Sequence, residues 1–242
     1  MSYFRNFPTV LYRFGNETDE TLMRNLTVFV DVVDQVKDQV TVYQDYYIQE
    51  NERPDQVSFK LYDTPYFYWT FYMMNDKIRE CGWPLTNQQL FTKVKKDLPN
   101  TTLTTRSVLH DKFKIGQTIT GSSSGITAKI IHRHIDVGQL VVTDITGTFT
   151  NGELITSVND DGVTESITLH SSELQYLSAL HYKDGNGVIT DIDPTVGPGA
   201  LLTEVTYLDK YTESNDDKKQ IRILRPNVIR QVVQAHQESL KL

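Results

Sequence analysis

Residues 53–76 read RPDQVSFKLYDTPYFYWTFYMMND, a run of aromatic side chains between polar ends. A cofactor pocket, a sugar-binding platform and an ordinary hydrophobic core would each account for so many aromatic rings. The local pattern favours helices. Pro54 suits the first turn of a helix, and Asp55 is favourable at the positive end of the helix dipole. This first helix then has one apolar face, which consists of Val57, Leu61 and Tyr62.

A second helix is predicted directly after the first. Thr64 is a suitable N-cap, and Pro65 is a suitable first helical residue. Apolar side chains surround nearly the whole helix between Tyr66 and Met74. A helix of this kind is buried on most sides or presents its outer face to a partner. Residues 40–48 favour a strand, so the sequence predicts a strand–helix–helix unit.

The segments around this unit have weaker patterns. Residues 26–37 fit either a strand or a helix, and the two interpretations stay open. Thr86 predicts the start of a further helix. Near the C-terminal end, residues 220–224 predict a strand, and Pro226 opens a last helix. The apolar face of that helix comprises Val228, Ile229, Val232, Val233 and His236.

An internal repeat lies within residues 105–170. The motif F-x-x-G-x-x-I-T at residues 113–120 recurs at residues 149–156, and each copy is followed by a glycine turn and another β-type run. This pattern predicts a small antiparallel β-domain built from duplicated hairpins. A separate hairpin is predicted to turn at residues 184–187.

These elements together predict an α+β fold in three parts. Residues 1–104 hold an extended arm and the strand–helix–helix unit, and residues 105–170 form the inserted β-domain. Residues 171–242 hold the hairpin and the C-terminal strand and helix, which we expect to return to the first part and complete a strand–helix–helix–strand core.

The composition limits the classes of partner. The 242 residues are 38% hydrophobic and 23% charged, which are ordinary values for a globular protein. The net charge of −7 is spread along the chain, so nucleic acid is a poor partner. No apolar run approaches the length of a membrane span or of a secretion signal. We therefore expect a protein made in a reducing cytosol, with chance glycosylation sequons at Asn16, Asn25 and Asn100.

Residues that could carry chemistry are scattered and lack supporting context. Cys81 is the one cysteine, so it has no disulfide partner, and we expect a small buried apolar residue. The segment 121–125, GSSSG, lacks the continuation of a phosphate-binding loop and predicts a hairpin turn. His132 and His134 share a strand face, but no third metal ligand is marked out. We expect no metal, no cofactor and no enzymatic activity.

A resemblance to a known family rests on an ordered set of short motifs. A strand, two short helices and a return strand are the layout of the LysM module. The chain also resembles the LysM-like baseplate wedge subunit of T-even-like contractile-tailed phages (myoviruses), and this resemblance covers roughly residues 1–100 and 178–242. The motifs are Tyr46-Tyr47-Ile48, Arg53-Pro54, Leu61-Tyr62, Trp69, Met74-Asn75-Asp76, Gly82-Trp83-Pro84-Leu85-Thr86 and the C-terminal KKQIRILRPNVIRQVV.

The resemblance implies a structural protein of the virion. It would lie in the tail baseplate, assemble in the host cytoplasm and join neighbouring wedge subunits. Its partners would be other wedge and hub-proximal tail proteins, not nucleic acid, a membrane or a small-molecule substrate. The candidate core or interface residues are Arg53, Tyr62, Tyr66, Tyr68, Trp69, Tyr72 and Trp83. The repeat at 105–170 has no counterpart in the T-even form.

Two other functions stay open. A LysM-type module could bind peptidoglycan through loops that flank its helices, at residues 49–53 and 75–80. A cell-wall hydrolase would need a catalytic carboxylate pair, and no such pair stands out in the sequence.

Overall fold

The computed structural model describes residues 3–16, 18–28, 35–37 and 39–240. The helices are α1 (Pro54–Tyr62), α2 (Trp69–Met74), α3 (Asp76–Cys81), α4 (Asn87–Asp97), α5 (Tyr207–Asp216) and α6 (Ile229–Ser239). The strands are β1 (Thr9–Tyr12), β2 (Thr21–Arg24), β3 (Tyr43–Tyr47), β4 (Thr101–Thr105), β5 (Thr118–Gly121), β6 (Thr127–His134), β7 (Gln139–Thr143), β8 (Leu154–Val158), β9 (Thr164–Leu174), β10 (Ala179–Lys183), β11 (Ile189–Thr190), β12 (Thr203–Thr206) and β13 (Gln220–Leu224).

Contacts within the chain divide it into two compact units. The first unit combines Met1–Asn87 with Ser214–Leu242, and the second comprises Gln88–Glu213. The fold is mixed, with both helices and several small sheets. The division of the chain at residues 104 and 170 stays a prediction about its organisation.

The first unit is built around a two-stranded antiparallel sheet. β3 pairs with β13, so that Tyr43 lies opposite Leu224 and Tyr47 lies opposite Gln220. Both predicted strands are confirmed. Because β3 and β13 are far apart in the sequence, their pairing brings the C-terminal segment back to the start of the helices.

The helices after β3 begin where the sequence predicts. α1 starts at Pro54, and Asp63 ends it in a left-handed conformation with φ of 56°. Thr64 Oγ1 then accepts a hydrogen bond from the Tyr66 N–H over 3.4 Å, as expected for an N-cap. The predicted helix from Tyr66 to Met74 is found as a 3-10 turn followed by α2.

The core of the first unit joins the sheet to four helices. It shows the predicted order of strand, helix, helix and return strand, with α3 as an additional helix before the return. The likeness of this arrangement to the LysM module stays a prediction. The buried apolar residues are Ile48, Val57, Tyr62, Trp69, Phe71, Met74, Ile78, Ile221, Ile223, Leu224, Ile229, Val232 and Val233.

A second small sheet lies near the N-terminal end. β1 and β2 form an antiparallel hairpin in which Thr9 lies opposite Arg24 and Tyr12 lies opposite Thr21. The choice between a strand and a helix at residues 26–37 is not decided, because residues 29–34 lie outside the described part of the chain.

The second unit contains a closed six-stranded barrel, with the strand order β4-β7-β6-β5-β8-β9. All six pairings are antiparallel. The antiparallel strands that the sequence predicts within residues 105–170 are therefore confirmed. The barrel also includes β4 and the last residues of β9, which extend beyond residues 105–170. These strands close the barrel, and closure removes the exposed edges that a duplicated hairpin would leave.

The sequence repeat produces an approximate twofold arrangement of the barrel. β5 and β8, which carry the two copies of the motif, lie side by side with Thr120 opposite Thr156. The motif glycines are equivalent: the Gly116 N–H donates to Ile130 O over 2.9 Å, and the Gly152 N–H donates to Leu169 O over 2.8 Å. On the other side of the barrel, Leu103 of β4 lies opposite Leu140 of β7.

The rest of the second unit is a three-stranded sheet in the order β11-β10-β12. The predicted hairpin at residues 184–187 is confirmed, because the Gly187 N–H donates to Asp184 O over 3.0 Å between β10 and β11.

Candidate functional site on the aromatic helices

Tyr62 lies in the core and links α1 to the return strand. Its side chain is buried, and its hydroxyl donates a hydrogen bond to Leu224 O over 2.7 Å. The ring packs against Phe67 and Phe71, with both ring centroids 6.1 Å away. Burial raises the pKa of Tyr62 far above its usual range, because the phenolate would lose its water. Tyr62 therefore stabilises the fold.

Trp69 lies in the core at the first position of α2. Its ring centroid is 4.9 Å from that of Tyr3 and 4.8 Å from that of His236. This aromatic group connects the N-terminal segment, α2 and α6 within the first unit. Trp69 is 7% exposed and is therefore a core residue. Truncation of a buried tryptophan costs about 3–5 kcal/mol.

Trp83 is half-buried in the segment between α3 and α4. Its Nε1–H donates a hydrogen bond to Glu52 O over 2.8 Å. Its ring centroid is 6.0 Å from both Phe71 and Tyr72. Trp83 therefore links the turn before α1 to α2.

Arg53 stands at the N-cap of α1, where the sequence predicts a role in the helix start. Its backbone N–H donates to Gln56 Oε1 over 3.1 Å. Its guanidinium Nε is 3.2 Å from Asp55 Oδ1, and the side chain is largely exposed. An exposed ion pair of this kind contributes little to stability. The guanidinium is accessible to a carboxylate of another protein.

Tyr66, Tyr68 and Tyr72 differ in exposure. Tyr66 is 61% exposed, whereas Tyr68 and Tyr72 are half-buried against the core. Burial raises the pKa of Tyr72, and the nearby Tyr68 adds to this effect. Of the seven candidate residues, Arg53 and Tyr66 are the exposed ones.

A cavity of 110 Å³ lies beside these aromatic residues. Tyr3, Tyr66, Phe67, Trp69 and His236 contribute rings to its wall. His236 is 2% exposed, and neither of its ring nitrogens has a hydrogen-bond partner in the described structure. Burial lowers the pKa of His236, since the charged imidazolium would be poorly solvated here.

Asn75 is a structural residue for which the sequence offers no more than a helix-ending signal. It separates α2 from α3 in an extended conformation. Its Nδ2 donates to Phe71 O over 2.8 Å and to Arg222 O over 2.7 Å, and its Oδ1 accepts from the Arg222 N–H over 2.8 Å. The side chain thus joins the helices to β13.

Cys81 and the loop 121–125 lie at a helix end and in a hairpin turn. Cys81 is exposed, so the expectation of a buried residue was wrong. It is the last residue of α3, and Gly82 is the C-cap of that helix. The loop 121–125 is a hairpin turn, as predicted, with the Gly125 N–H donating to Gly121 O over 3.0 Å. In the described part of the chain, no group of three or more His, Cys, Asp or Glu side chains could hold a metal ion.

The amides of this turn bind a carboxylate of the protein itself. The N–H groups of Ser123 and Ser124 donate to Glu153 Oε2 over 3.2 and 3.0 Å, and the Thr150 N–H donates to Oε1 over 2.7 Å. Burial acts to raise the pKa of Glu153, but the hydrogen bonds from Ser124 and Thr150 outweigh it and lower the pKa to about 2. These amides are consequently occupied within the barrel.

No helix among the described residues has the length and apolar character that crossing a membrane requires.

Comparison with known proteins connects the aromatic helices to a virion family. Residues 9–93 match the model of a family described as base plate wedge protein 53. No curated protein matches the chain. The matched segment includes the β1–β2 hairpin, β3 and helices α1 to α3, and it confirms the predicted resemblance to a phage baseplate wedge subunit. The match does not extend to the barrel or to residues 178–242. Residues 9–93 are thus similar to the phage baseplate wedge family described as base plate wedge protein 53.

Proposed function

We propose that the protein is a structural component of the phage baseplate wedge and joins neighbouring wedge subunits during baseplate assembly. The observation that carries this proposal is the match of residues 9–93 to a baseplate wedge family. A structural family of this kind suggests a protein without enzymatic activity and a location in the virion tail. Assembly in the host cytoplasm, with wedge and hub-proximal tail proteins as partners, belongs to the same proposal.

The geometry of the first unit supports a role in protein contacts. Tyr62, Trp69 and Trp83 are held by the fold itself, through hydrogen bonds and ring contacts. Arg53, at the N-cap of α1, and Tyr66, in the 3-10 turn before α2, are exposed to solvent. Arginine and tyrosine are enriched among the residues that dominate protein interfaces. We propose these two as the partner-facing members of the candidate set.

We also propose that β3, α1, α2 and β13 form a LysM-like core. The antiparallel pairing of β3 with β13, which share a core with α1 and α2, supports this likeness. It also favours peptidoglycan binding as a second candidate function. That function is less well supported, because residues 76–81, which lie in a segment predicted to be a loop beside the helices, form α3 instead.

A paired binding experiment tests the proposal. The tagged full-length chain is co-expressed with the baseplate wedge proteins of the same phage, and its sedimentation with insoluble peptidoglycan is measured in parallel. We expect stable co-purification with wedge proteins and none with peptidoglycan. Tyr66→Ala should weaken capture without changing the fold, whereas Tyr47→Ala, an exposed tyrosine on β3, serves as the control. Peptidoglycan binding without capture of a wedge protein would favour the second function.

A further inference from the structure

The β1–β2 hairpin has an unusual surface for a protein in water. Every residue of both strands is exposed. Leu11 is 60% exposed and Leu22 is 65% exposed, and these two residues lie directly opposite each other. Further exposed apolar residues of the hairpin and its ends are Val10, Tyr12, Phe14, Met23 and Leu26.

The exposed apolar residues occupy both faces of the hairpin. Leu11 pairs with Leu22, and Val10 pairs with Met23. Because successive residues in a strand point to opposite faces, the two pairs lie on opposite sides of the small sheet. An antiparallel sheet with one solvated face normally alternates apolar and polar residues. Each face of the hairpin therefore exposes an apolar pair, beside Thr9 and Arg24 on one face and beside Tyr12 and Thr21 on the other.

Among the described residues, contacts within the chain secure the base of the hairpin, and the residues of both strands stay exposed. Arg24 Nη1 donates to Phe7 O over 2.7 Å, and the Asn25 N–H donates to Pro8 O over 2.8 Å. Beyond the strands, Arg13 forms an exposed ion pair with Glu20 at 3.1 Å. A two-stranded hairpin without further packing is marginally stable in water. A covering partner would supply the missing stabilisation.

The exposed apolar surface is large enough for a specific interface. The exposed fractions of its seven large apolar side chains correspond to roughly 700 Å², close to the ~800 Å² that each partner buries in an interface of standard size. This area is divided between the two faces of the hairpin, so a partner has to contact both faces in order to bury it.

We propose that residues 9–26 form a docking arm, which inserts into an apolar cleft of another baseplate wedge protein. This inference rests on the proposed function and adds the surface through which the chain binds. A cleft can cover both faces of the hairpin at once. It can also pair with the free strand edges, as happens when a strand is added to a sheet.

Two other occupants fit less well. In a symmetric pair of copies, one hairpin would cover a single face of the other and leave the second face of each in water. A lipid bilayer would leave the unpaired backbone groups of both strand edges without hydrogen-bond partners. An apolar cleft in a protein avoids both problems.

The test uses the tagged full-length chain co-expressed with the wedge proteins of the same phage. One variant combines Leu11→Ser with Leu22→Ser, and a second combines Val10→Ser with Met23→Ser, so that each changes one face. The matched control combines Val158→Ser with Val163→Ser, two exposed residues of the second unit. We expect each hairpin variant to lower capture of the wedge protein at least tenfold, and the control to leave it unchanged.

Two further measurements accompany the capture experiment. Tryptophan fluorescence should give unchanged unfolding midpoints for the two hairpin variants. Trp69 and Trp83 both lie in the first unit and therefore report on the unit that contains the hairpin. Hydrogen exchange on the wild-type complex should show new protection of the amides at residues 9–12 and 21–24.

Each contrary result has a distinct meaning. Wild-type capture that both hairpin variants retain would overturn the docking arm and leave the proposed function standing. Failure of the wild-type chain to capture any wedge protein would overturn both. Hairpin-dependent self-association in sedimentation velocity, or hairpin-dependent binding to vesicles of phosphatidylcholine and phosphatidylglycerol, would overturn the arm in favour of a second copy or a membrane.

Discussion

The side-chain amide of Asn75 satisfies both backbone groups of Arg222, with Nδ2 2.7 Å from the Arg222 carbonyl oxygen and Oδ1 2.8 Å from its nitrogen. These two hydrogen bonds lie on β13, the same strand that pairs with β3. Asn75 thus contributes a short substitute for a third strand at the point where α2 ends. The sequence separates these residues widely, and the fold of the first unit depends on bringing them together.

The Asn75 contact predicts a loss of stability when the amide is removed. Asn75→Ala should lower the free energy of unfolding of the first unit by about 1–2 kcal/mol, because it leaves backbone groups of Phe71 and Arg222 without their partner. Urea denaturation followed by tryptophan fluorescence measures this. Gln231→Ala, which removes an exposed amide side chain from α6, is the control and should be close to neutral. An equally small effect of both substitutions would contradict the role assigned to Asn75.

The hydroxyl of Tyr62 predicts a similar loss. Tyr62→Phe keeps the ring contacts but removes the donor to the Leu224 carbonyl, so stability should fall by about 1–2 kcal/mol. Tyr47→Phe removes a hydroxyl from a tyrosine that is 55% exposed on β3, and it should change stability little. Denaturation midpoints of the two variants, compared directly, decide whether the buried hydroxyl matters.

The barrel should depend on the ionised carboxylate of Glu153. Glu153 has a pKa of about 2 in the folded protein and an ordinary value of 4.5, so its contribution is present above pH 4.5 and is lost as the pH falls towards 2. Glu153→Gln should lower stability by about 2 kcal/mol at neutral pH and reduce the loss on acidification. Hydrogen exchange at the Ser123 and Ser124 amides reports this locally. Asp160→Asn, at an exposed turn residue, should leave the same exchange rates unchanged.

His236 predicts a pH dependence of the first unit in a different range. Burial lowers its pKa below the ordinary value of 6.5, so the unfolded chain binds more protons than the folded chain just below that pH. Stability should therefore fall as the pH drops below 6.5. His236→Phe keeps a ring beside Tyr3 and Trp69 and should remove this part of the dependence. His170→Gln, which changes an exposed histidine, should retain it. A wild-type midpoint that is constant between pH 7.5 and 5.5 would be inconsistent with a buried neutral His236.

Local patterns in the sequence predicted the elements with clear physical signals. Pro54 and Thr64 mark helix starts because they suit the first turn and the N-cap, and the structure places them there. The repeated F-x-x-G-x-x-I-T motif predicted the β-domain, since the same local geometry recurs at Gly116 and Gly152. These features depend on neighbouring residues alone.

Features that depend on distant contacts were harder to predict. The closure of the barrel requires β4 to pair with both β7 and β9, and no local pattern encodes that pairing. The exposure of Cys81 reflects its place at the end of α3, a helix that the sequence did not suggest. Among the candidate residues, aromatic composition alone did not distinguish the buried Trp69 from the exposed Tyr66.

The β1–β2 hairpin was missed for a related reason. Its strands are short, and the apolar residues on both faces hide the alternation that marks a half-buried strand. A strand that a partner covers on both faces, as we propose for this hairpin, does not need to alternate apolar and polar residues. Its sequence pattern is then that of a buried strand.

The account as a whole requires the protein to be part of the tail. Quantitative mass spectrometry of purified virions, separated into heads, tails and baseplates, tests this most directly. The account predicts that the chain is found in the baseplate fraction, in a fixed ratio to the other wedge proteins. Expression of the chain during infection, together with its absence from purified baseplates, would contradict a structural role in the wedge.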